Sequence, residues 1–426
     1  MIEKLRAIWT IKDLRKKILF VLAMLVIFRV ANHIPIPGVD IEGLKRLFES
    51  NQLLGLLNVF SGGGYSNFSV VMLGVGPYIT ASIIMQLLTM IVPKLEAIQK
   101  DGEQGQQKIN QYTRWLTVPM AALNAFGTIT FLRQSGAGII PEMSVFHLIT
   151  AIATITGGTM FLMWIGELIT EQKVGNGISL IIFAGIVAQI PGSVQQSIAV
   201  FDSSQVVTFV GFLVLAVVTI AGVVFITEGQ RNIPVNYAKQ IRGNRMYGGV
   251  SSHLPLRVNQ AGVIPIIFAI SIVLIPPLIA GLFTSSPVGW ISTFASGIVS
   301  FFNNQLYYAL MYFVLVVVFT YFYTAVIFHP QQIAENLQKQ GGFIPGIRPG
   351  RPTADYIAYI ANRIILGGAL FLGVIAILPL VVKSVTNMSS FAIGGTSLLI
   401  VVSVVIETVK QIDSQLVMHD YEGFNM

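Results

Sequence analysis

Four ionisable side chains, Arg29, Glu167, Arg363 and Glu407, fall inside long apolar runs, where a charge is costly and so a functional suspect. None lies at the middle of its run: Arg29 sits towards the outer end of the first, and the others lie within about three turns of an end, from which long side chains reach the membrane surface. The remaining chemistry-bearing residues make no recognisable constellation. His33, His147, His253, His329 and His419 are scattered, and there is no His-Glu-x-x-His, no phosphate-cradling Gly-x-x-x-x-Gly-Lys-Ser/Thr and no dinucleotide fingerprint. With no cysteine, disulfides, zinc thiolates and thiol nucleophiles are excluded. The expectation is a non-enzyme without catalytic residues, cofactor or metal. A secondary transporter of small solutes would want a titratable or cation-binding group at the midplane, and an intramembrane enzyme would want paired catalytic groups at depth. Neither pattern is present.

The elements that position these residues are membrane-crossing. Of 426 residues 54% are hydrophobic and 11% charged, with mean hydropathy +0.74, whereas a soluble domain carries roughly a quarter charged residues. Ten apolar runs, at 17–34, 69–92, 114–132, 148–170, 177–195, 206–226, 260–281, 306–327, 357–379 and 393–409, are each long enough to cross about 30 Å of hydrocarbon. Lysine and arginine set their direction. Twenty of the 26, with Arg114 counted in the first connection, lie at the N-terminus, in the alternate connections near 93–113, 171–176, 227–259 and 328–356, or in the tail. Only Lys45, Arg46, Arg133 and Lys383 lie in the opposite loops. Both termini are therefore expected to be cytoplasmic, in a multi-pass protein of the cell membrane. The net charge of +7 is mostly this signal, although a basic cytoplasmic side also suits an acidic partner. The first 17 residues are charged and mildly amphipathic, which suits a helix on the inner leaflet and not a cleaved leader.

Ten crossings divide into two halves, 1–200 and 201–426, that enter the membrane from opposite sides, the arithmetic of an inverted repeat. One local echo supports this: Gly74-Val75-Gly76-Pro77 opens the second crossing and Gly262-Val263-Ile264-Pro265 the seventh. Between the first two crossings, 35–68 is too long for a hairpin and holds a short apolar segment ending at Gly62-Gly63-Gly64. Such a segment is either re-entrant, buried in protein or lining a cavity, or an external loop packed on the surface. The loops 227–259 and 328–356 show little hydrophobic periodicity and are long for a compact protein. They are either partner-docking surfaces or solvated connectors.

Five stretches, in order, resemble the SecY family over nearly the whole chain. They are Pro77-Tyr78-Ile79-Thr80-Ala81-Ser82-Ile83, Gly175-Asn176-Gly177-Ile178-Ser179 through Gly185-Ile186, Leu254-Pro255-Leu256-Arg257-Val258-Asn259 into Pro265, Gly342 to Gly350, and Gly394-Gly395-Thr396-Ser397-Leu398-Leu399-Ile400. The resemblance implies an all-α polytopic fold of two inverted five-helix halves around a central hourglass pore. It implies a protein-conducting channel that translocates unfolded preproteins and releases transmembrane segments laterally into lipid. The pore ring would be Val75, Ile79, Ile178, Ile182, Ile267 and Ile400, although the depth of Ile178, near the cytoplasmic end, does not favour it. A plug at about 56–67 would include Leu57, Phe60, Gly62, Gly63 and Gly64. A lateral gate between crossings two and three and crossings seven and eight would involve Thr80, Ile83, Gln86, Asn259 and Ile275, with Gln86 and Asn259 either joined by an interhelical hydrogen bond or merely packed. The motor SecA or the ribosome would dock on Arg231, Lys239, Arg242, Arg245, Arg348 and Arg351. Gln240 and Asn244 depart from the basic residues many relatives carry there, which bears on contact with ribosomal RNA. The family further implies small SecE and SecG subunits, and signal sequences as ligands.

Overall fold

In lipid a backbone must satisfy its own hydrogen bonds, which apolar runs do as helices. Each of the ten runs carries one in the computed structural model, which describes residues 9–50, 52–134, 144–199, 206–237, 240–242, 245–247, 251–284, 288–386 and 394–423. In the first half α1 (Lys12–Ala31) is followed by two short helices, α2 (Ile41–Ser50) and α3 (Gln52–Phe60), then α4 (Gly76–Ile91), α5 (Pro93–Lys100), α6 (Glu103–Gln134), α7 (Val145–Glu171) and α8 (Gly177–Ala199). The second half begins with α9 (Val206–Glu228), and the strands β1 (Gln230–Tyr237), β2 (Gln240–Arg242), β3 (Arg245–Tyr247) and β4 (Ser251–Arg257) lead into α10 (Ile264–Phe283). Then come α11 (Gly289–Asn303), α12 (Gln305–Ile327), α13 (Pro330–Lys339), β5 (Gly342–Phe343), α14 (Arg351–Thr386) and α15 (Gly394–Gly423).

Among the described residues α6, α7, α10, α12 and α14 are long and apolar enough to cross a membrane unaided, while α8 and α9 hold shorter apolar stretches, Gly177–Gly192 and Leu213–Glu228. Leu306, Leu310, Val314 and Val318 make an exposed apolar stripe at helical spacing on α12. Its fit is to lipid. On α1 the buried residues Leu14, Val21, Phe28 and Ala31 keep one stripe against α7 and α8, leaving Leu22, Val26 and Val30 exposed.

The second crossing departs from expectation. The run 69–92 is not one helix: α4 starts at Gly76, spans 16 residues and turns by 101° into α5. At 1.5 Å per residue α4 covers only about 24 Å. The turns at 69–75 complete the depth, with Ser69, Met72, Leu73 and Val75 buried. Irregular backbone is tolerated at that depth because protein surrounds it.

The echo between the halves extends to the backbone. Gly74 and Gly262 have φ +56° and +63°, and the next residues are nearly superposable, Val75 at (−93°, 6°) and Val263 at (−94°, −9°). Only glycine adopts that left-handed step without penalty, and the proline that follows needs no N–H in the first helical turn. The halves meet at two seams, α4 and α6 against α10 on one side and α8 against α15 on the other.

The two long loops are not irregular connectors. β1 pairs with β4 in antiparallel register (Ile233↔Leu254, Val235↔Ser252) and with β5 of the other loop (Asn236↔Phe343, Tyr237↔Gly342), giving the order β4-β1-β5. Ile233, Val235, Leu256, Leu337 and Ile344 close a small core on Ile357 and Ile360 of α14. The alternation is present in the sequence but interrupted by Pro234 and Pro255, which ordinarily argue against strands. Both are accommodated: β4 is an edge strand, and β5 covers only Asn236 and Tyr237.

Candidate functional site

The start of α4 places Val75 and Ile79 one turn apart on the same face, and α8 and α10 bring Ile182 and Ile267 to meet them. These four residues, with Leu57 of α3, line one cavity of about 500 Å³. Its wall is mostly aliphatic and aromatic, and Val75, Ile79, Ile182 and Ile267 are all buried, Ile182 at 2% exposure. Ile400 is wholly buried in the same apolar cluster but does not reach the cavity wall. Ile178 stands apart: it is half-buried in the first turn of α8, and a Cβ at Gly166 of α7 would lie 2.6 Å from its Cδ1. One helical turn, about 5.4 Å, separates it from Ile182. The α7–α8 connection holds it there, with Thr170 Oγ1 accepting from Gly177 N (2.9 Å) and Asn176 Oδ1 from Ser179 N (3.2 Å).

The end of α3 and the turn after it close over this cavity, with Leu57, Ser61 and Tyr65 on its wall. Gly62 has φ +70°, and a Cβ there would stand 2.7 Å from Gly185 Cα of α8, so the chain turns back against α8 only as glycine. Gly64 is similarly tight, since its Cβ would lie 2.7 Å from Asn32 Oδ1. The Gly62 carbonyl accepts from Asn32 Nδ2 (2.6 Å) and Arg29 Nη1 (2.9 Å), both from the end of the first crossing. The Asn58 carbonyl accepts from Gln189 Nε2 of α8 (3.0 Å). Of the expected plug residues, Leu57, Gly62, Gly63 and Gly64 are thus in one docked segment, while the side chain of Phe60 lies outside the described residues. Sequence reasoning gave Arg29 no partner and passed over Asn32 and Gln189. The available signal was three long polar side chains close to the membrane ends of two apolar helices.

At the seam, Thr80 of α4 and Ile275 of α10 line the same cavity, and Ile83 is buried. The interhelical hydrogen bond entertained for Gln86 and Asn259 is absent. Gln86 Nε2 donates to Ser82 Oγ (3.4 Å) and Asn259 Nδ2 to the Gly262 carbonyl (3.1 Å), each within its own segment. Gln86 Oε1, Asn259 Oδ1 and the neighbouring Gln260 Oε1 are buried acceptors without a donor among the described residues. The cavity also draws on α6 through Met120, Asn124 and Phe126, none anticipated. Asn124, a lone amide in the apolar run 114–132, was the legible clue.

The basic residues gather on the small sheet and around it. Arg231 of β1, Arg348 and Arg351 are exposed, and Arg242 pairs in register with Arg245 across the β2–β3 hairpin. Lys239 and the side chains of Arg242 and Arg245 lie outside the described residues. Among the described residues no group of three or more His, Asp or Glu side chains could hold a metal ion.

Comparison with known proteins fits this geometry. The SecY family model matches residues 69–409. A protein translocase subunit SecY from Streptomyces galbus is 45% identical over 430 residues, covering 97% of each chain. Among solved structures, one described as the structure of a protein conducting channel superposes with a TM-score of 0.63 at 16% identity, covering 92% of this chain and 90% of its own. Sec61 in the canine ribosome-channel complex from the endoplasmic reticulum gives 0.61 at 16%, with the same coverage. The chain therefore belongs to the SecY family.

Proposed function

We propose that the chain is the conducting subunit of a protein translocase, passing unfolded preproteins across the cytoplasmic membrane and releasing apolar helices sideways into lipid. The observation that carries this is one apolar cavity lined together by Val75, Ile79, Ile182 and Ile267, by Leu57 and Ser61 at the end of α3, and by α4, α6 and α10. An apolar constriction excludes ions by dewetting, and its side chains part around an extended chain without reading its sequence. In this reading Val75, Ile79, Ile182 and Ile267, backed by Ile400, form the seal, and the segment from Leu57 to Gly64 plugs it. Ile178 stands one turn below. Thr80, Ile83, Gln86, Asn259 and Ile275 belong to the gate, where α4 and α6 part from α10.

The basic connections face the cytoplasm, as do both termini, and the halves 1–200 and 201–426 move against one another. Arg231, Lys239, Arg242, Arg245, Arg348 and Arg351 present guanidinium and ammonium groups suited to carboxylates or phosphates. SecA or the ribosome docks there, and small SecE and SecG subunits complete the assembly. The test is reconstitution in vesicles with SecE, SecG, SecA and ATP, scoring protease protection of an added preprotein. Protection that requires ATP and a functional signal sequence is expected. No protection, with ribosome-delivered chains also excluded, would sink the reading.

A further inference from the structure

A plug that must leave during transport has to be held when idle, and the described residues show what holds it. Three side chains from two transmembrane helices converge on two backbone carbonyls of the plug turn. Arg29 and Asn32, three residues apart on one helical face at the end of α1, both donate to Gly62 O (2.9 and 2.6 Å). Together they use both lone pairs of that oxygen. From the other side Gln189 of α8 donates to Asn58 O (3.0 Å), a carbonyl in the last turn of α3 that also accepts from Gly63 N (2.8 Å) and Ser61 Oγ (3.0 Å) of the turn that follows, so Gln189 ties the folded turn to α8. Asn32 is fully buried and is itself oriented by Ser69, whose hydroxyl donates to Asn32 Oδ1 (3.3 Å). Among the described residues Arg29 forms no ion pair, so its only charged-group contact is with the plug carbonyl.

We propose that Arg29, Asn32 and Gln189 form a latch that holds the plug shut and thereby sets the threshold for opening. This rests on the plug reading above and adds the residues that position it. The acceptors are main-chain oxygens, so the latch reads the shape of the turn and not the plug's side chains. Gly62 belongs to the same device, because only a residue without Cβ fits between the latch and Gly185. Hydrogen bonds from a charged donor are stronger than neutral ones, so Arg29 contributes most, and its loss is expected to raise the open population about tenfold.

The natural lack of cysteine allows a direct reading. Ser66→Cys places a reporter in the half-buried plug turn, and Ser296→Cys places a control on exposed α11. Proteoliposomes of the full chain with SecE and SecG receive a membrane-impermeant maleimide on the plug side. Arg29→Gln should speed labelling at Ser66→Cys about tenfold, Arg29→Lys should stay near the parent, and Asn32→Ala and Gln189→Ala should fall between, with Ser296→Cys unchanged throughout. Unchanged labelling at Ser66→Cys in both Arg29→Gln and Gln189→Ala would overturn the latch. Equal acceleration at both reporter sites would overturn it too, since general loosening would then explain the result. Acceleration at Ser66→Cys alone with no rise in ion leak supports the latch and counts instead against the plug as the seal.

Discussion

Replacing Ile182 by Asn tests the seal where the structure and the family resemblance can be told apart. Ile182 is 2% exposed and looks onto a cavity shared with Val75, Ile79 and Ile267, none of which offers a hydrogen-bond partner. Losing the buried aliphatic chain removes about 1.5–3 kcal/mol, and an unpartnered amide adds about 1–3 kcal/mol. In an open channel the amide is hydrated, so the penalty falls on the closed state alone. The closed-to-open ratio should therefore fall by roughly two to four orders of magnitude, at about 1.4 kcal/mol per tenfold. Ion conductance in planar bilayers and acceptance of a crippled signal sequence measure it. Ile182→Val, which costs about 0.5–1.5 kcal/mol, should leak only slightly. Ile178→Asn should also leave conductance near the parent, because Ile178 packs on Gly166 and does not reach the cavity. A tight Ile182→Asn channel, or an Ile178→Asn channel leaking as much, would refute the reasoning.

At the proposed gate, Gln86→Leu removes a buried acceptor that has no donor among the described residues, and should stabilise the closed seam by about 1 kcal/mol. Weakly hydrophobic signal sequences should then translocate several-fold less in a graded series, and an unchanged or lowered threshold would contradict this. On the basic face, Arg348→Glu reverses an exposed charge, so SecA-driven or ribosome-driven transport should drop while membrane insertion and thermal stability hold. Normal transport in that variant would argue against docking there. Cysteines at Thr80 and Ile275, which share a cavity wall, should join on oxidation, and because a disulfide needs Cα atoms about 4.4–6.8 Å apart, its formation would itself locate the two helices. The bond should block secretion and lateral release reversibly, and efficient cross-linking with intact transport would show that this seam does not open.

Hydropathy, charge bias and the Gly-Val-x-Pro echo were enough to read a multi-pass helical protein in two related halves, because the constraints behind them act locally. A backbone in lipid must pair with itself within the run, and lysine and arginine bias each loop independently. The same local logic located the short segment before Gly62-Gly63-Gly64 and raised the choice between re-entrant and external. Its burial against α8 and the cavity was settled only by contacts across more than a hundred residues, such as Gln189 on Asn58. The small sheet escaped detection because its two longer strands are interrupted by proline and its third, two residues long, comes from another loop that meets them only in the folded chain. Arg29 looked like a side chain reaching for the membrane surface, and Ile178, whose depth in the sequence did not favour the ring, joined it only through the family resemblance; in the fold it lies half-buried against Gly166 of α7. What each side chain faces depends on which helix lies opposite, and helical periodicity gives a residue's angle about its own axis but not its neighbour. Thus the membrane class and the positions of the crossings were determined by the sequence itself. The common cavity of Val75, Ile79, Ile182 and Ile267, the mooring of the turn at Gly62 and the donorless side-chain oxygens of Gln86 and Asn259 were decided by packing between helices far apart in the chain.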